Sequence, residues 1–160
     1  MKRAIALTAV LAFVLGASAR ASQAKPNFAG KWAIVPDAAA GAGGGMMTPA
    51  AMTVTQDDKA LVVTSTSAQM GEMKTPYNLD GTEAKAPIDF QGNSLDRVTK
   101  SKWDGNKLAL TATSNFNGQA FEVVQVWSLG ADGSLLIETT RPDFQGGGAP
   151  VTTKATYKKS

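Results

Sequence analysis

Two arginines, a methionine pair and a few hydroxyl and amide side chains are the residues of this chain that could do chemistry. Arg97 alternates with Thr99 and Ser101, and Arg141 with Thr139 and Ile137, so each shares a strand face with groups that form hydrogen bonds. A guanidinium in such a place can grip a carboxylate or phosphate through two parallel hydrogen bonds. The plainer expectation is that each arginine reaches water or pairs with the acid beside it in sequence, Asp96 or Asp143. Met70-x-x-Met73, with Met46, Met47 and Met52 in reach, offers thioethers of the kind that hold Cu(I). Methionine more often coats an adaptable apolar rim, and that is the expectation here, so no metal is assigned. Phe90 and Phe144 belong to two copies of Asp-Phe-Gln-Gly, starting at Asp89 and Asp143, which suggests two loops with similar work.

The 160 residues include neither cysteine nor histidine. That removes zinc fingers, thiol nucleophiles, Ser-His-Asp triads and histidine metal sites. Most of the 13 carboxylates sit in turns, where they accept local backbone hydrogen bonds. Glu122 and Glu138 are expected outward and solvated, so no pair is placed for acid catalysis. Gly43-Gly44-Gly45 and Gly146-Gly147-Gly148 read as flexible linkers, because neither leads into the Lys-Ser or Lys-Thr of a phosphate loop. No catalytic residue and no cofactor is expected.

Lys2 and Arg3 precede an apolar run, Ala4 to Leu15, followed by small residues that offer cleavage after Ala19 or Ala24. The run is shorter than the roughly 20 helical residues a bilayer core requires. Residues 1–24 are therefore expected to be an export signal, with 25–160 as a single periplasmic or secreted domain without a transmembrane span. Removing Lys2, Arg3 and Arg20 from the 16 basic residues leaves as many as the 13 acidic ones. The net charge of +3 thus belongs to the leader, and a neutral remainder lacks the positive field that nucleic acid requires.

Placing the candidate residues is the task of strands. After residue 30 the chain alternates with period two, punctuated by Asp80-Gly81, Asp104-Gly105, Asn117-Gly118 and Asp132-Gly133, pairs suited to tight hairpins. The pattern predicts strands over 31–35, 52–56, 61–66, 73–79, 82–88, 95–103, 107–114, 119–129, 134–141 and 151–158. The fold class is all-β, an antiparallel up-and-down meander of eight to ten strands closed into a barrel, with a β-sandwich as the alternative. Alternate connections then fall at opposite ends. One end takes the short turns, and Trp32, Tyr77, Trp103, Trp127 and Tyr157 gather there as a structural plug. The other takes the long loops, including the Ala/Gly/Met stretch 38–51, and forms a mouth ringed by Met70, Met73, Met52, Phe90, Phe116 and Phe144. In strand 119–129 the set Phe121, Val123, Gln125, Trp127 and Leu129 faces inward. Polar groups on an inner wall, such as Gln125 and Thr139, cost free energy unless water or a ligand satisfies them.

Phe28-Ala29-Gly30-Lys31-Trp32, with Gly-x-Trp on the first strand, is similar to the opening of lipocalin-like barrels. Lys102-Trp103-Asp104-Gly105-Asn106-Lys107-Leu108 and the stretch from Val126-Trp127 to Gly133-Ser134-Leu135 resemble those of small secreted bacterial lipocalin-like proteins of unassigned function. The likeness spans most of residues 27 to 158. It departs from true lipocalins in lacking a Thr-Asp-Tyr loop and the Arg laid over the first-strand Trp, where only Lys158 or Lys159 is near. The resemblance implies a barrel. The function expected is non-catalytic binding of a small, largely apolar molecule, anionic or not, at the loop-rich end, with Arg97, Arg141, Gln125, Thr139, Phe90, Phe144, Met70 and Met73 as contacts. The alternative is an envelope module with a filled core that docks a partner protein or surface.

Overall fold

β-Branched residues at every second position, broken by Asp-Gly turns, leave the chain little choice but pleated ribbon, and ribbon is what forms. The computed structural model describes residues 24–36, 48–67, 71–90, 93–116, 118–143 and 148–160. Its strands are β1 (Gly30–Ile34), β2 (Ala51–Gln56), β3 (Ala60–Ser67), β4 (Gly71–Asn78), β5 (Ala84–Lys85), β6 (Ile88–Phe90), β7 (Asn93–Leu95), β8 (Arg97–Asp104), β9 (Lys107–Phe116), β10 (Gln119–Leu129), β11 (Leu135–Arg141) and β12 (Val151–Lys159). Ten of them form one antiparallel sheet in the order β4-β3-β2-β1-β12-β11-β10-β9-β8-β5. The sheet curls until β4 lies beside β8 and β5, nearly closing a barrel with one unsealed seam. No helix among the described residues is long and apolar enough to cross a membrane.

The expected strand 82–88 is corrected. Pro87 lacks an N–H and interrupts the ladder, so the stretch divides into β5, paired with β8, and β6, which forms a separate hairpin with β7. Gly81, Gly105 and Gly133 take positive φ (85°, 59° and 77°) in the turns of the tightly stitched end. Residues 1–23, which hold most of the expected export signal, residues 37–47, Met70 and Phe144 lie outside the described residues, as do the side chains of Phe90 and Phe116.

The core fills the stitched end. Trp32, Tyr77, Trp127 and Tyr157 are buried in one cluster, with Trp103 packed against it. Phe28, which precedes the first strand, is fully buried between two of the indoles. Its ring stacks on Trp103 at 6.1 Å and meets Trp127 edge-on at 5.8 Å, and its carbonyl accepts the Trp32 indole N–H at 2.9 Å. Gln56 anchors this segment from β2, accepting the Phe28 N–H at 2.8 Å and donating to the Pro26 carbonyl at 3.1 Å. Met52 was expected at the mouth. Instead it pairs with Trp32 across β1 and β2 and is a core residue, 5% exposed. Leu129, expected inward, is 36% exposed where β10 runs out into its turn.

Candidate functional site

Cross-strand partners share a face, so the register sorts the inner wall into rows. Toward the stitched end, Trp103, Leu108, Trp127, Ile137 and Ala155 pair in sequence around β8 to β12, with Leu129, Leu135 and Tyr157 one step below on β10 to β12. The next row is Ser101, Leu110, Gln125, Thr139 and Thr153. Above it comes Thr99, Ala112 and Val123, and above that Arg97, Ser114 and Phe121. The wall therefore changes from aromatic and aliphatic to hydroxyl, amide and guanidinium toward the loops. Thr75, Thr99, Ser101, Ser114 and Thr139 are all buried.

Several expected contacts meet. Gln125 and Thr139 are directly opposite each other, and the Gln125 side-chain oxygen accepts the Trp127 indole N–H at 3.2 Å. Met73, on β4, reaches Arg97 across the seam with its sulfur 3.7 Å from Nη1. Arg141 is half-buried at the upper end of β11, opposite Val151.

Arg97 is the most informative group. It is half-buried, and its Nε donates to the Ala86 carbonyl at 3.0 Å while Nη2 donates to Thr75 Oγ1 at 2.8 Å. These partners and the Met73 sulfur are neutral. Among the described residues no ion pair includes Arg97; the bridges join Lys74 to Glu72, Lys100 to Glu83 and Lys154 to Glu138 on the exposed face. Burial pulls the Arg97 pKa below its usual value, and Tyr77 nearby works the other way. Burial in turn pushes the Tyr77 phenol up to about 12 against the pull of the Arg97 charge. Among the described residues three bonds use three of the five guanidinium N–H groups, so two donors have no described acceptor.

Sequence reasoning missed Thr75 and the Ala86 carbonyl as partners of Arg97. Thr75 shares its face with Tyr77 by alternation, but nothing in the sequence pattern says that β4 lies beside β8. Away from Arg97, an open cleft of about 510 Å³ lies at the stitched end beside Asn27, Trp32, Leu129, Asp132 and Ser134. Its cations already have company: the Lys159 ammonium sits 5.4 Å from the centre of the Trp32 ring, and Lys158 is near enough to Asp132 to help lower that carboxyl's pKa. Among the described residues no three acids gather as a metal site would require. The chain matches no family model, and no curated protein sequence matches it.

Proposed function

We propose that the protein is an exported, non-catalytic carrier that holds a small, largely apolar molecule with an anionic end in the loop-rich half of the barrel. The observation that carries this reading is Arg97, a half-buried cation on the inner wall whose described partners are all neutral. A charge withdrawn from water without a counter-ion is costly, and a carboxylate or phosphate entering from the mouth would offset that cost. The buried hydroxyls around it suit the polar end of such a ligand. We also read the barrel as lipocalin-like, a reading supported by Gly30 and Trp32 on β1 and by Lys159 lying over the Trp32 ring, where lipocalins place an arginine.

The test is titration with a medium-chain fatty acid and with the alcohol of equal length. The acid is expected to bind at least tenfold more tightly, a gap that shrinks in Arg97→Gln and changes less in Arg141→Gln. Equal affinities for acid and alcohol would remove the anionic end from the reading. Binding of neither would leave the docking module in its place.

A further inference from the structure

The barrel is joined by backbone ladders everywhere except between β4 and β8. Two features of the sequence leave that gap. Pro76, in the middle of β4, has no N–H to donate, and β5 already occupies the β8 edge at Val98 and Thr99. What spans the gap instead is a file of inward side chains from β8. Thr99 Oγ1 donates to the Pro76 carbonyl at 2.5 Å, Ser101 Oγ to the Asn78 carbonyl at 2.6 Å, and Arg97 to Thr75 Oγ1 at 2.8 Å. No backbone hydrogen bond joins the two strands among the described residues.

We infer that the barrel opens sideways along this line, with Arg97, Thr99 and Ser101 as its fasteners. Parting β4 from β8 breaks four side-chain bonds, the fourth being the long contact from Arg97 to the Met73 sulfur, whereas parting any other neighbours breaks a ladder. The seam is therefore the least protected route to the inner wall. It also passes directly beside Arg97, so, on the carrier reading, a ligand can reach the guanidinium without threading the loops.

The absence of native cysteine makes the test direct. Ser101→Cys places a thiol on the seam, and Ala155→Cys places one on the inner wall of β12, in mid-sheet; the parent residues are 5% and 7% exposed. With global stability measured for both, labelling by a thiol reagent in native buffer is expected to be at least tenfold faster at 101. Adding Thr99→Val should speed labelling at 101 again and leave 155 unchanged. Equal rates at the two positions, or equal acceleration by Thr99→Val, would overturn the lateral opening. A dansyl-labelled fatty acid then separates this from the carrier reading. Faster probe release in Thr99→Val supports entry by the seam, and unchanged release with faster labelling overturns it. If the probe does not bind, the carrier reading fails, and the labelling ratio alone decides whether the seam opens.

Discussion

Phe28 ties the three tryptophans of the sealed end together. It stacks on Trp103, meets Trp127 edge-on and accepts the Trp32 N–H. Phe28→Ala is expected to cost about 3–5 kcal/mol in chemical denaturation, the range for emptying a well-packed aromatic site. The indoles themselves should respond unequally. Trp32→Phe strips a 2.9 Å hydrogen bond from a buried carbonyl. Trp103→Phe removes a buried N–H that has no described partner, relieving a penalty of about 1–3 kcal/mol that offsets part of the lost contact. Trp103→Phe should therefore be the milder change, and a larger loss there than at Trp32 would contradict this account. Phe28 could be quoted from the sequence as part of Gly-x-Trp's surroundings, but its role was not legible. It lies before the first strand, where no alternation assigns it a face.

Strands and turns were the most readable level. Alternation fixed which side chains of β10 point inward, Leu129 excepted, and Asp104-Gly105 and Asp132-Gly133 marked hairpins through the positive φ they supply, whereas Asp80-Gly81 follows β4, which pairs with no later strand. The reading failed where two strands met without a ladder. Periodicity describes a ribbon's own faces and says nothing about the ribbon beside it, so the β4–β8 junction and the Arg97–Thr75 bond were invisible. Gly30 shows how tight the neighbouring joints are. Its φ is 148°, and a Cβ there would stand 3.3 Å from Cε of the Lys159 stem that crosses Trp32. Gly30→Ala should cost about 1–3 kcal/mol through backbone strain, seen as a lowered denaturation midpoint. Lys159→Ala in the same background should recover only the part due to crowding.

The molecule as a whole should fail in alkali by a route set in its interior. Burial pushes Tyr77 and Tyr157 each up to about 12, above the ordinary 10, so the folded state holds their protons more firmly than the unfolded chain. Their contribution is complete below pH 10 and drains as pH climbs from 10 toward 12. Urea midpoints compared at pH 9 and 11.5 should fall, and the double variant Tyr77→Phe/Tyr157→Phe should fall less; an equal fall would show that other groups govern the transition. Alternation and turn pairs spoke for the molecule as a whole, and the antiparallel barrel they implied forms, nearly closed, with one unsealed seam. Which strand stands at its centre was less obvious. β12, which follows the other described strands in sequence, lies between β1 and β11, with Trp32 opposite Lys159. Until β12 leaves the ribosome, the first four strands have no neighbour on one side and the meander from β8 to β11 has none on the other. A nascent chain must therefore wait, half-assembled, with sticky borders open to chaperones, and its slowest step is the joining of segments farthest apart in synthesis.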